Sequence, residues 1–255
     1  MRPKKWWLLC SQIWWLRCAL MDRRQRYLAG SRSLRHWLKV SQQDGSLVAA
    51  CTGGGSVVAE RHYPENDWRD PLSGCQAYYH CHRLGNEHGH LHLFMPAEDN
   101  AELSHLLGIA LDPRGLPLNL FTVNRWVTND AWLPAAQSVS LVRQFSLAAS
   151  EASTHLNGWL VHFLSFYAAL IQELLHERDE VLSTRDVPLA QALDDRRLEV
   201  LSQRTIEWGS DLDHAQLEWR NHVRNVREKA IQRSKSMGST SQPLAIADRQ
   251  PAVIT

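Results

Sequence analysis

The chain has 255 residues, 44% apolar and 22% charged, which supports a buried core and excludes disordered, collagenous and coiled-coil readings. Lys and Arg total 28 against 27 for Asp and Glu, so a net charge of +1 gives no global field to draw the chain to nucleic acid. The one excess is histidine, 13 in all, of which five, His80, His82, His88, His90 and His92, fall in one short segment.

At the start, Arg2, Lys4 and Lys5 precede Trp6-Trp7-Leu8-Leu9-Cys10, which opens like a signal peptide. Ser11-Gln12 and Arg17 then interrupt the apolar run, and no small-x-small cleavage site follows. Residues 1–20 therefore read as a basic, Trp-rich leader outside the domain, with Met21 as an alternative start. A membrane-surface helix carrying Trp6, Trp7, Trp14 and Trp15 is the other reading. The cysteines, Cys10, Cys18, Cys51, Cys75 and Cys81, form no CxxC pair and no regular spacing, which fits a reducing compartment and a cytoplasmic protein.

Over residues 22–40, Tyr27, Leu28, Leu34, Trp37 and Leu38 recur near helical spacing and predict a helix, broken at Gln42-Gln43-Asp44-Gly45. Its basic residues read as a solvated face. Two short apolar runs, 47–51 and 57–60, flank Thr52-Gly53-Gly54-Gly55-Ser56, which reads as a flexible connection. Residues 62–71, bracketed by Pro64 and Pro71 and carrying Asp67 and Asp70, read as an ordered loop. Runs 76–82 and 88–95 predict one hairpin; 106–111 and 116–123, joined by Asp112-Pro113-Arg114-Gly115, predict a second, with Pro117 at a strand start or edge. Helices are predicted over 135–148, 154–182, 189–207 and 213–232, and the apolar stretch 159–175 reads as a core helix because Asn157 precedes it and His162, Gln172 and Glu173 interrupt it. The fold expected is α+β, a small antiparallel sheet of about four strands in two hairpins with a C-terminal set of helices packed on it. One domain spans 21–233, with a sheet half at 47–128 and a helical half at 133–233, followed by a disordered tail at 234–255.

Strand residues two apart share a face, so His80 and His82 lie together, as do His88, His90 and His92. Whether the two sets meet depends on the turn. A three-residue loop, Gly85-Asn86-Glu87, pairs His82 with His90 and His80 with His92 and gathers all five on one face. A two-residue turn at Gly85-Asn86 pairs His82 with Gly89 and sends the sets to opposite faces. The first gives the cleaner division, with Tyr79, Cys81, Leu91 and Leu93 on the other side.

Opposed imidazoles with Cβ atoms about 5 Å apart can bring two or three Nε2 atoms onto one first-row metal at about 2.0–2.2 Å. His80, His82, His90, His92 and His88 are thus candidate ligands for a divalent ion, zinc or iron(II), which would activate a bound water. Glu87, or one of His62, Asp67 and Asp70, could complete a His/carboxylate set. Candidate catalytic residues are His90, Glu87 and Arg125, the last as a guanidinium for an anionic substrate, with pairing to a carboxylate as its structural alternative. Glu173-Leu174-Leu175-His176 has di-iron helix spacing but lacks a second copy, so it reads as surface.

His88-Gly89-His90-Leu91-His92-Leu93-Phe94 is similar, over these seven residues, to the motif of the histidine-triad nucleotide hydrolases and transferases. That resemblance implies His90 as a nucleophile on phosphorus, with His88 and His92 orienting phosphate. The Gly-Gln-Ser-Val-like stretch that precedes the motif in those proteins is missing. A wider set of blocks resembles a bacterial protein family of unknown function: Tyr63-Pro64 with Asp67 and Asp70, Tyr78-Tyr79-His80-Cys81-His82, Glu87-His88-Gly89-His90-Leu91-His92-Leu93-Phe94, Asn124-Arg125-Trp126-Val127-Thr128 and Trp132-Leu133-Pro134-Ala135. The likeness covers about residues 21–225 and implies boundaries without a mechanism. The function expected is a protein whose His-rich hairpin binds a divalent metal and acts on a small substrate, with no nucleic-acid partner and no integral membrane span. The alternatives are a phosphohydrolase using His90 and a non-catalytic binding protein with a pH-responsive histidine face.

Overall fold

The computed structural model describes the backbone of residues 6–82, 87–97 and 102–238, with side chains from residue 23 to residue 234. Of the basic, Trp-rich leader expected at 1–20, the backbone from residue 6 is described and is helical, continuous through residue 44, while its side chains lie outside the described residues; so does the tail from 239, and residues 234–238 close a helix. The chain forms two compact units, Met1–Gln216 and Leu217–Thr255.

Among the described residues the first unit is α+β, as expected, but its sheet has six strands rather than four. They are β1 (Tyr63–Arg69), β2 (Gln76–His80), β3 (Gly89–Pro96), β4 (Leu103–Leu111), β5 (Pro117–Val123) and β6 (Val200–Thr205), antiparallel and adjacent in that order. β1 is built from the segment read as a loop. Its turn formers are accommodated because it is an edge strand with an irregular register between Tyr63 and Trp68, where Pro64 need not donate to an interior ladder. β6 replaces the C-terminal part of the helix expected over 189–207. Pairing with β5 decides its conformation, and the Ser202 hydroxyl, 2.7 Å from Thr122 Oγ1, donates to Leu174 O at 2.7 Å.

Before the sheet run α1 (Trp6–Asp44) and α2 (Leu47–Thr52). α1 turns Ala29, Ser33, Trp37 and Val40 inward at helical spacing and ends before Gly45, whose φ is +87°. Ser46 then caps α2 by accepting the Ala49 N–H at 3.0 Å, so the apolar run 47–51 is a helix and the triple glycine begins as its left-handed cap at Gly53. After β5 follow α3 (Arg125–Thr128), α4 (Ala135–Val142), α5 (Thr154–Phe166), α6 (Ala168–Ser183) and α7 (Leu189–Leu193); α8 (Trp208–Gly238) follows β6. The helix expected at 154–182 is two helices bent by 72° at Tyr167, whose hydroxyl donates to Asp211 at 2.6 Å. Among the described residues no single helix is long and apolar enough to cross a membrane; α5 and α6 qualify only as this bent pair.

The helices cover one face of the sheet. Ala77, Tyr79, Leu91, Leu93, Leu107, Ile109 and Leu120 meet Leu156, Trp159, Leu160, Phe163, Ile171 and Leu174 in one core. Each fully buried apolar side chain there contributes about 1.5–3 kcal/mol. The opposite face of β2–β5 carries Tyr78, His80, His90, His92, Phe94, Ala110 and Phe121, and there the histidines collect. In the second unit the helical residues 217–234 leave Leu217, Val226 and Ile231 exposed.

Candidate metal centre

The β2–β3 ladder pairs His80 with His90 and Tyr78 with His92. Neither expected register is present, because each pair is displaced by two residues from the three-residue-turn alignment. A shift of two preserves facing, so the gathering of His80, His90 and His92 that this alignment predicts is retained. The turn residues Gly85 and Asn86 lie outside the described residues.

His80, His90 and His92 each offer a ring nitrogen, and these atoms lie within 4.8 Å of one another. His90 and His92 are buried, 1% and 2% exposed, while His80 sits at the rim. Three imidazoles around a tetrahedral ion at about 2.0–2.1 Å have nitrogens about 3.4 Å apart, so small ring movements suffice. His80 Nε2 and His90 Nε2 already stand 2.7 Å apart.

The far side of the buried rings is held. His90 Nδ1 meets the Glu87 carboxylate, which assigns the proton to Nδ1 and leaves the Nε2 lone pair facing His80. His92 Nδ1 lies 2.8 Å from His105 Nε2, and His92 Nε2 has no hydrogen-bond partner among the described residues. Burial, then the neighbouring rings of His105, His90, His80 and His82, holds His92 well below the usual imidazole pKa. Burial, Arg178 and His90 bring His105 to about 3, so both rings are neutral, as a metal ligand requires. The carboxylate of Asp130 accepts the His105 backbone N–H and the Thr128 hydroxyl, and burial raises its pKa.

His105 went unmarked in the sequence. It stands on β4 opposite Phe94, beyond a bulge between Leu93 and Phe94 that returns it to the histidine face. Aromatic rings enclose the cluster: Tyr78 lies 5.3 Å from His92, and Phe121 lies 5.3 Å from His90 and 5.9 Å from His92. Phe121 reaches this position over Gly108, where a Cβ would come within 2.3 Å of its ring. His82 is half-buried just past β2, its ring 5.0 Å from those of His80 and His90.

Other expected site residues are placed elsewhere. His88 precedes β3 and breaks the alternation, its Nδ1 lying 2.5 Å from the hydroxyl of the core residue Tyr79. It therefore does not share the face of His90 and His92, which removes the geometry of a histidine triad. Arg125 pairs with Asp194. Asp70 is buried and accepts the backbone N–H groups of Leu72, Ser73 and Ala149, which makes it a turn anchor. His62 stacks on Tyr78 with centroids 3.7 Å apart, and its Nδ1 is 3.0 Å from Asp67 Oδ1.

No curated protein and no solved structure matches the chain. One protein-family profile does, over residues 28–206, a span that includes the whole sheet and every residue of the histidine cluster. By that match the chain belongs to the family described as a domain of unknown function, DUF6969.

Proposed function

We propose that the protein is a metalloprotein in which the Nε2 atoms of His80, His90 and His92 hold one divalent ion, with the remaining position open to water and a small substrate. The observation that carries this reading is the way the buried rings are held: Glu87 at Nδ1 of His90 and His105 at Nδ1 of His92. A carboxylate or second imidazole behind a ligating histidine fixes its tautomer, orients its ring and raises its basicity. A merely packed histidine face has no need of both.

The donor set favours zinc over iron(II). Three neutral imidazoles with one open position suit catalytic zinc, whereas the iron triad takes a carboxylate as ligand, and Glu87 is engaged with His90. Glu87 thus serves as an orienting group in this reading, and a bound zinc would supply a Lewis acid able to activate water near neutral pH.

The test is elemental analysis of untagged protein beside the His90→Ala/His92→Ala variant. Near-stoichiometric zinc in the wild type, lost in the variant, is expected. A metal-free chain that takes up no zinc, or a variant with unchanged content, would overturn the reading.

A further inference from the structure

His62 lies one residue before β1, on the sheet's histidine face, and is tied down at three places. Its Nδ1 is 3.0 Å from Asp67 Oδ1, which makes that nitrogen the proton carrier. The other carboxylate oxygen, Asp67 Oδ2, accepts from Gln76 Nε2 at 2.7 Å, so the carboxylate cannot rotate away. The imidazole is stacked on Tyr78 at an interplanar angle of 10°. Asp67 itself has φ of +53°, in the left-handed region that Asp enters more readily than most residues. The ring is edge-on to His80, centroids 5.7 Å apart, and its Nε2 has no hydrogen-bond partner among the described residues. A histidine whose Nδ1–H is fixed by a carboxylate and whose Nε2 is open is built to move a proton.

We propose that His62, oriented by Asp67, is the general base of this site and that the substrate is a small uncharged ester or amide. This rests on the metal reading above. The Glu87 and Asp67 carboxylates beside the cluster disfavour a phosphate or other anion, and among uncharged substrates the bond that a general base and a polarising ion hydrolyse together is that of an ester or amide. In the step, the water oxygen bonds to the acyl carbon as its proton passes to His62 Nε2. The acyl C–O or C–N bond then breaks, the leaving oxygen or nitrogen takes that proton, and an acid and an alcohol or amine depart.

The experiment uses the full chain loaded with zinc and p-nitrophenyl acetate as the probe. Wild-type turnover above the zinc-free rate is expected. His62→Ala should lower kcat about 100-fold with zinc content and melting temperature unchanged, and added imidazole should restore part of the rate. His62→Gln, which keeps a donor to Asp67 but no base, should be equally slow. Zinc-loaded wild type without turnover, His62→Ala or His62→Gln at the wild-type rate, or loss of zinc in either variant would overturn the dyad and leave the metal reading standing. A wild type that takes up no zinc would overturn both.

Discussion

His90 is engaged at both ring nitrogens, by Glu87 at Nδ1 and by His80 across the strand pair at Nε2. Among the described residues His92 is engaged at Nδ1 alone. Two further histidines, His88 beside the ligands in sequence and His105 beside them in space, can be told apart by experiment, since alternation alone gives no reason to separate His88 from His90. His88→Ala should leave zinc affinity within twofold, while costing about 1–3 kcal/mol because the Tyr79 hydroxyl loses its buried partner; urea denaturation and zinc titration read the two effects separately. His105→Phe keeps a ring in place and removes the nitrogen behind His92, and should weaken zinc binding about 10–100-fold in competition with a chelator. Equal zinc affinity in His105→Phe and wild type would remove His105 from the centre.

At the scale of the element, the site depends on how β3, β4 and β5 are brought together. Gly108 stands opposite both His92 and Phe121 in the ladders, and the missing side chain is the space in which Phe121 lies against the two buried histidines. Gly108→Val is therefore expected to displace that ring, destabilise the fold by about 1–3 kcal/mol and lower zinc affinity as well, read by thermal melting and zinc titration. A variant that melts and binds like wild type would show that Phe121 needs no such space. The same strands show what the sequence makes legible. Strand periodicity was enough to place His90 and His92 on a common face, but whether His80 joins them hung on the turn; an even displacement from the three-residue-turn alignment keeps the three together, whereas the two-residue turn would have parted them. His105 escaped for a physical reason. Counting back by twos from Gly108 lands on Leu106 and Ser104, and only the bulge opposite Leu93 and Phe94 turns His105 to that side. The strand β6 escaped because Val200-Leu201-Ser202 follows helix-like sequence and owes its conformation to β5, some eighty residues earlier in the chain.

For the molecule as a whole, a second group of histidines bears on stability. His36 of α1 lies between His155 and His162 of α5, its Nδ1 3.2 Å from His155 Nδ1. Burial, His155 and Arg35 lower the pKa of His36; burial, His36 and Arg32 lower that of His162. Both folded-state values lie below the unfolded value of about 6.5, so between them the unfolded chain binds more protons. The stabilisation is present above about pH 6.5 and declines as pH falls through that value toward the folded-state pKa values, with metal-free His92 and His105 acting in the same direction. Thermal melts of the zinc-free chain between about pH 5 and pH 7.5 should show a falling melting temperature toward acid, and His36→Asn should flatten that dependence. An unchanged slope in His36→Asn would assign the effect to other groups.

The central claim, one ion held by three imidazoles on the sheet's histidine face, is tested most directly by X-ray absorption at the zinc edge of the zinc-loaded full chain. The expected spectrum has about three imidazole nitrogens at about 2.0–2.1 Å with one further light atom, and no sulfur shell. An ion surrounded by oxygen alone, a sulfur ligand, or the same spectrum from His90→Ala/His92→Ala would contradict it.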